Sequence, residues 1–195
     1  MTKSHFIRPA VMTDEAAAID TLILAFATDP MVRWTWPDPS DYLAIMPRFI
    51  KAFGGQAFSC GSAYLTKKSR GVALWLPPEN HPNKEGMISL VESSIPESRH
   101  HELFKVFEMM EEFHPQEPHW HLPLLGVDPM YQGHGLGSAL LDHALQRCDN
   151  EGCQAYLESS NPRNIALYQR YGFQPLGEIQ SGTSPTAIPM LRLPN

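Results

Sequence analysis

The sequence predicts an α/β fold in which helices cover both faces of a mixed β-sheet. Three features support this class. Short apolar runs typical of strands alternate with amphipathic helical patterns, a glycine-rich turn joins one such strand to a helix, and a later strand leads directly into a capped helix. At 195 residues the chain is long enough for one domain with a sizeable core, and we expect a single domain spanning residues 1–195.

The first half of the chain alternates apolar periodicities with proline and glycine breaks. Helical spacing follows Thr13 and stops at Asp29-Pro30, because proline cannot continue a helix. Two apolar runs separated by a short polar turn predict an antiparallel strand pair. In chain order, the expected elements are a strand at 5–8, a helix from Thr13 to Asp29, a tryptophan-rich loop at 31–39, a helix at 41–53, and strands at 57–66 and 71–76.

The second half begins with a charged, proline-broken segment, 82–118. Its helical pattern over 97–113 predicts a helix or helix pair covering one side of the sheet. The elements expected after it are a strand at 119–127, a helix from Leu136, a strand at 154–159, a short helix over 161–172, and final strands at 174–179 and 190–193.

The segment from Val127 to Ser138, VDPMYQGHGLGS, carries three alternate glycines between a strand and a helix. This layout directs backbone N–H groups and a helix N-terminus to one point, which suits a phosphate group. The spacing fits neither the G-x-G-x-x-G fingerprint nor a Walker A loop. The residues expected to bind the ligand here are Gln132, Gly133, His134, Gly135, Leu136, Gly137 and Ser138.

A second motif, NPRNIALYQRYGF, begins at Asn161 directly after a predicted strand. Asn161 is a strong N-cap, Pro162 suits the first helical position, and Gly172 suits the residue that ends the helix. Spacings of three and four residues place Asn161, Asn164 and Tyr168 on one helix face. Both motifs therefore bring polar groups to the same end of neighbouring strands.

These two motifs resemble those of the GNAT superfamily of N-acetyltransferases. Residues 132–137 match its Q/R-x-x-G-x-G/A loop, and 161–173 match its N-x-x-A/I-x-x-x-Y-x-x-x-G-F segment. Within the superfamily the chain most resembles puromycin N-acetyltransferase-like proteins. The resemblance implies acetyl-CoA as co-substrate and a sheet splayed between strands 4 and 5. It also implies a cofactor-binding core at about 119–173, with acceptor-side elements at about 28–56 and 77–118.

The resemblance also implies roles for individual residues. Tyr168 would be the general acid that protonates the CoA thiolate, and Asn161 and Asn164 would bind the cofactor. The strand ahead of the glycine turn would pair through its backbone with the pantetheine amides, at Leu125, Gly126 and Val127. Gly126 would permit a bulge that opens the strand spacing.

The general base has two candidates. His119 and His121 alternate on a strand and so share a face, and by resemblance His121 occupies a catalytic position. Histidine titrates near neutral pH, which suits a base, although both histidines could instead be satisfied by local hydrogen bonds. Glu158, at the end of the neighbouring strand, is the alternative. We favour His121 as base and Glu158 as the carboxylate that binds the ammonium group, with a bound water as a possible relay.

Net charge and residue composition limit the classes of partner that the chain is expected to bind. A net charge of −6 and a pI near 5.8 argue against nucleic acid. Three cysteines without a C-x-x-C pair, and no signal or membrane-length pattern, predict a cytoplasmic protein that does not contact membranes. The histidines lack metal-ligand spacing, so no metal is expected. The chain could be a monomer or a homodimer.

The predicted activity is transfer of the acetyl group from acetyl-CoA to a primary amine of a small molecule, directly within a ternary complex. Two alternatives remain. One is a non-catalytic acyl-CoA-binding regulatory domain, against which the presence of Tyr168, Asn164 and the three loop glycines argues. The other is a protein lysine or N-terminal acetyltransferase, which requires an open peptide groove.

Overall fold

A computed structural model gives the structure of the chain and describes residues 5–195. Its centre is a seven-stranded sheet in the order β1-β2-β3-β4-β5-β7-β6. β4 and β5 run parallel, and the other neighbouring strands pair antiparallel. The strands are β1 (Ile7–Pro9), β2 (Ala63–Thr66), β3 (Gly71–Leu76), β4 (His119–Val127), β5 (Gln154–Ser159), β6 (Gln174–Pro175) and β7 (Ile188–Arg192).

Helices pack on both faces of this sheet, which confirms the predicted fold class. One face buries Leu74 and Leu124 against α1 and α3, and the opposite face buries Trp75 against α7. The helices are α1 (Glu15–Phe26), α2 (Pro30–Thr35), α3 (Pro39–Gly54), α4 (Gln56–Ser59), α5 (Lys84–Ser94), α6 (His100–Phe113), α7 (Leu136–Asn150) and α8 (Pro162–Arg170).

Three segments differ from the sequence prediction. The first part of the strand predicted at 57–66 forms the helical turn α4, since the Cys60 amide donates to the Gln56 carbonyl at 3.0 Å, and β2 begins only at Ala63. The tryptophan-rich segment forms α2 rather than a loop, because the Asp29 carboxylate accepts a hydrogen bond from the Val32 amide at 3.1 Å and Pro30 occupies the first turn. The strand predicted at 174–179 shortens to two residues. Beyond it Gly177 lies against Phe113 so closely that an added Cβ would fall 2.6 Å from that ring.

The charged middle segment folds as the predicted helix pair. Asn83 caps α5 by accepting from the Gly86 amide at 3.0 Å, and α6 follows after a short 3₁₀ turn. Buried apolar residues of α5 and α6, including Val91 and Leu103, join the core on the α1–α3 side of the sheet. The pair thereby covers the sheet face on which α1 and α3 also pack.

The sheet opens between β4 and β5. Their parallel pairing ends at His121 and Tyr156, although both strands continue for several residues. Pro123 contributes to this opening because proline has no N–H to donate. The pairing of β3 with β4 also shifts at this point, where Leu122 and Pro123 together lie opposite Trp75. The predicted splay is therefore present, and the bulge lies at residues 122–123.

The prediction of a β-bulge at Gly126 is wrong. Gly126 pairs in regular register with Val72 of β3. Its missing side chain serves helix packing instead, since an added Cβ would lie 2.7 Å from Ala25 Cβ and 2.9 Å from Leu22 Cδ2. Glycine here lets α1 approach the sheet backbone.

The helices described between residues 5 and 195 include none that is both long and apolar enough to cross a bilayer.

Candidate active site

The glycine turn between β4 and α7 has an open helix N-terminus. Gly133 and Gly135 have φ values of 75° and 82°, the left-handed region that glycine adopts readily. Gly135 is the N-cap of α7, and among the described residues no side chain caps the helix. The first amides of α7 are therefore available to an anionic ligand, as an uncapped helix N-terminus allows.

Side chains of the turn stabilise its own conformation. Gln132 Nε2 donates to the Val127 carbonyl at 3.0 Å, and His134 Nδ1 donates to the Gln132 carbonyl at 2.8 Å. His5 Nε2 donates to the His134 carbonyl at 2.8 Å and so ties the N-terminal segment to the turn. In this arrangement the turn would hold a ligand through backbone N–H groups, while Gln132 and His134 fix the loop.

The second motif forms α8 with the predicted cap. The Asn161 side chain accepts a hydrogen bond from the Arg163 amide at 3.1 Å, and Pro162 is the first helical residue. Asn164 and Tyr168 both line a cavity that opens at the β4–β5 gap. The side chain of Asn161 is thus used as a cap, whereas Asn164 and Tyr168 face the cavity.

This cavity, called here the apolar cavity, extends from the β4–β5 gap beneath α2, α3, α5 and α6. Its polar lining includes Asp29, Glu158, Ser160, Asn164 and Tyr168. Its aromatic lining consists of Phe26, Trp34, Trp36, Phe49, Phe53 and Phe107. A second, more open cleft adjoins it and shares Phe53, Met87, Phe107, Met110 and Glu158.

Tyr168 is buried, and its phenol reaches the apolar cavity without any hydrogen-bond partner among residues 5–195. The ring packs edge-on against Phe173, with centroids 6.0 Å apart. Burial raises the pKa of the Tyr168 phenol, and the nearby Asp29 carboxylate raises it further. The phenol therefore stays protonated near neutral pH and can donate a proton into the cavity.

His121 and Glu158 form one buried pair. His121 Nε2 donates to Glu158 Oε2 at 2.9 Å, and both side chains are almost fully excluded from solvent. Burial acts to raise the pKa of the Glu158 carboxyl, but the charge and hydrogen bond of His121 leave that pKa below its ordinary value. When His121 is neutral and carries its proton on Nε2, the lone pair lies on Nδ1, which is buried and has no hydrogen-bond partner among residues 5–195. The two candidate bases are thus coupled.

His119 and His114 form a neighbouring imidazole pair. Their Nε2 atoms share a hydrogen bond of 2.9 Å, and His119 Nδ1 donates to the Glu117 carbonyl at 2.8 Å. Burial lowers the pKa of both imidazoles, that of His114 to about 4. His119 is thus satisfied locally, which was the alternative considered for it. Within the described residues no cluster of three or more potential ligands is arranged for a metal ion.

The lowered pKa of His114 predicts acid-sensitive stability. Between about pH 6.5 and 4 the unfolded chain binds a proton at His114 that the folded chain does not, so stability falls as the pH drops through this window. The His114→Gln variant should lose less stability than the unsubstituted chain between pH 7 and 5, as measured by urea midpoints. His81→Gln, at an exposed neighbouring imidazole, is the matched control. Equal pH dependence in the His114 variant would contradict this assignment.

Asp29 and Ser160 are two further site residues that were not predicted from the sequence. Ser160 Oγ donates to Asp29 Oδ2 at 2.6 Å, and both residues line the apolar cavity. Burial raises the pKa of the Asp29 carboxyl. Asp29 followed by proline is a typical helix start, so the cap was visible in the sequence. The contact with Ser160 spans 131 positions and had no local signal.

The chain is similar to a known family and to curated proteins that are named as acetyltransferases. Residues 98–173 match the sequence model of the Acetyltransferase (GNAT) family. A mycothiol acetyltransferase of Beutenbergia cavernae is 46% identical over 56 residues, which are 27% of this chain and 19% of that protein. An uncharacterized N-acetyltransferase of Schizosaccharomyces pombe is 39% identical over 54 residues, or 28% and 22% of the two chains. The chain spans about a fifth of the length of these relatives.

Solved structures match over almost the whole chain. A histone acetyltransferase HPA2 and related acetyltransferase from Corynebacterium glutamicum superimposes with a TM-score of 0.71 and 27% identity, covering 98% of this chain and 97% of that one. Arylalkylamine N-acetyltransferase 2 of Aedes aegypti gives a TM-score of 0.71 at 13% identity, covering 99% and 100%. The latter similarity concerns the fold alone.

Proposed function

We propose that this chain, whose residues 98–173 match the model of the Acetyltransferase (GNAT) family, transfers the acetyl group of acetyl-CoA to a primary amine of a small molecule. One observation carries the proposal. The phenol of Tyr168, which has no hydrogen-bond partner among residues 5–195, lies on α8 at one side of the β4–β5 gap, and the His121–Glu158 pair lies on the two strands. An acid and a base on either side of one gap suit acyl transfer.

In this proposal residues 119–173 hold acetyl-CoA and residues 28–56 and 77–118 surround the amine. The amides of 133–138 at the start of α7 bind the pyrophosphate, and β4 pairs through the backbone of residues 125–127 with the pantetheine arm. Asn164 lines the gap and hydrogen-bonds the cofactor. Acetyl-CoA supplies the thioester whose acetyl group is transferred.

The proposed reaction is direct. The ammonium group binds beside Glu158 and loses its proton to the His121–Glu158 pair, either directly or through a bound water. The amine nitrogen then attacks the thioester carbon, and backbone N–H groups of β4 stabilise the developing oxyanion. As the new C–N bond forms and the C–S bond breaks, Tyr168 donates its proton to the departing thiolate.

The alternatives fit the site less well. A non-catalytic binding domain has no need of a buried phenol that faces the cavity and has no hydrogen-bond partner in the described part of the chain. A protein acetyltransferase needs a groove for an extended peptide, whereas α2, α5 and α6 cover the apolar cavity here. Incubation with acetyl-CoA and a panel of primary amines, with the amide product followed by mass spectrometry, tests the activity. Puromycin belongs in that panel because of the sequence resemblance.

Separate substitutions distinguish the roles of the coupled pair. The His121→Gln variant should show a lower kcat, because glutamine cannot accept the proton. The Glu158→Gln variant should mainly raise KM for the amine, because it removes the charge that pairs with the ammonium group.

Steady-state kinetics between pH 5 and 9 provide the measurement, and His119→Gln is the matched control on the same strand face. A severe loss of kcat in Glu158→Gln together with a mild effect in His121→Gln would reverse the two roles. Full activity in both single variants would remove the pair from the mechanism.

A further inference from the structure

From the lining of the apolar cavity we infer that the acceptor is a primary amine whose remainder is uncharged and aromatic. This inference rests on the proposed function and specifies its substrate class. The cavity meets both Tyr168 and Glu158, so a bound amine that reacts there places the rest of its body against the cavity wall. The chemistry of that wall then selects the substrate.

A continuous row of aromatic rings leads to the proposed base. Trp36 packs edge-on against Phe49 with centroids 5.4 Å apart, and Phe49 stacks on Phe53 at 5.4 Å. Phe53 in turn lies edge-on to His121 at 6.1 Å. An aryl group beside the reacting amine would therefore meet rings with which edge-to-face or offset-stacked contacts are favourable.

The indole nitrogens of the two tryptophans that line the cavity already donate hydrogen bonds to other side chains. Trp36 Nε1 donates to Ser94 Oγ at 2.9 Å, and Trp34 Nε1 donates to Thr183 Oγ1 at 3.1 Å. The indoles consequently offer the cavity their apolar ring surfaces and no free donor. A sugar or another polyhydroxylated amine would lose its hydration there without gaining hydrogen bonds in exchange.

Only one of the two carboxylates in the cavity is suited to a substrate cation. Asp29 already accepts from the Val32 amide and the Ser160 hydroxyl, and burial raises the pKa of its carboxyl. The pKa of the Glu158 carboxyl lies below its ordinary value because of the neighbouring His121. Glu158 also faces both the apolar cavity and the adjoining cleft. The apolar cavity thus accommodates one ammonium group, and a second one inside it would be buried without a partner.

The test compares two primary amines with the full chain and acetyl-CoA. The kcat/KM for 2-phenylethylamine should exceed that for 1,4-diaminobutane by at least about 100-fold, because the diamine buries a second charge. An equal or higher value for the diamine would overturn this inference and leave acetyl transfer standing. Higher kcat/KM with hexanoyl-CoA than with acetyl-CoA would also overturn it, since the cavity would then hold the acyl chain. Acetyl-CoA binding without acetylation of any amine would remove the proposed function itself.

A substitution in the wall of the apolar cavity provides a second test of the preference between the two amines. Met110 lines both the apolar cavity and the adjoining cleft and is only partly buried. Met110→Glu adds a carboxylate that can pair with a second ammonium group, so it should reduce the preference for 2-phenylethylamine over 1,4-diaminobutane by about tenfold or more. Met110→Leu keeps the wall apolar and should preserve that preference. An unchanged ratio in a folded Met110→Glu variant would show that this wall does not contact the amine.

Discussion

The Tyr168→Phe variant is expected to lose roughly 10²–10⁴-fold in turnover while its affinity for acetyl-CoA stays the same. The substitution removes the proton donor and keeps the ring that packs against Phe173. Because the phenol has no hydrogen-bond partner in the described part of the chain, its removal leaves no orphaned polar group. The fold should therefore survive, and the loss should appear in kcat.

Single-turnover kinetics and calorimetric titration with acetyl-CoA measure the two quantities separately. Tyr64→Phe is the matched control, since Tyr64 is buried in the same apolar cluster as Tyr168 but does not line the apolar cavity. Near-normal turnover in Tyr168→Phe would show that water or another group protonates the thiolate, and Tyr168 would then have no place in the mechanism.

The Gly135→Val variant is expected to weaken acetyl-CoA binding by about tenfold or more while the chain remains folded. Gly135 has a φ of 82°, which a β-branched residue adopts only with strain. Space is not the obstacle, because an added Cβ would lie 3.5 Å from His5 Nε2, an ordinary contact. The backbone of the turn must therefore change, and with it the direction of the amides that begin α7.

Gly152→Val provides the matched control for backbone strain. Gly152 has a φ of 62°, follows the other end of α7, and has nothing within 4 Å of an added Cβ. The Gly152→Val variant should lose a similar free energy of unfolding to Gly135→Val, and its affinity for acetyl-CoA should not change. Unchanged calorimetric affinity in a folded Gly135→Val variant would contradict the assignment of the turn to the cofactor.

Locally determined features were predictable from the sequence. The Asn161 cap, the proline that follows it and the glycine turn each depend on backbone conformation within a few residues, and the structure shows each where it was expected. β3 and β5 also have the predicted bounds, because each is a short apolar run between clear breaks. The gap between β4 and β5 followed from the family resemblance.

Features that depend on distant contacts were not predictable in the same way. The bulge lies at residues 122–123 and not at Gly126, because the close approach of α1 explains that glycine. From the sequence alone, His121 and Glu158 were alternative candidates for the general base. Nothing local shows that their side chains hydrogen-bond across 37 positions. The contact between Asp29 and Ser160, and the apolar cavity that it borders, depend on how α2 packs against the end of β5.

The most direct measurement uses acetyl-CoA labelled in the acetyl group, the full chain and 2-phenylethylamine, with mass spectrometry of both the small molecules and the protein. Direct transfer predicts labelled N-acetylated amine, no labelled acetyl group on the protein when the amine is omitted, and a large loss of product in Tyr168→Phe. Tight binding of acetyl-CoA with no labelled product from this or any other primary amine would contradict it and identify the chain as an acyl-CoA-binding protein without turnover.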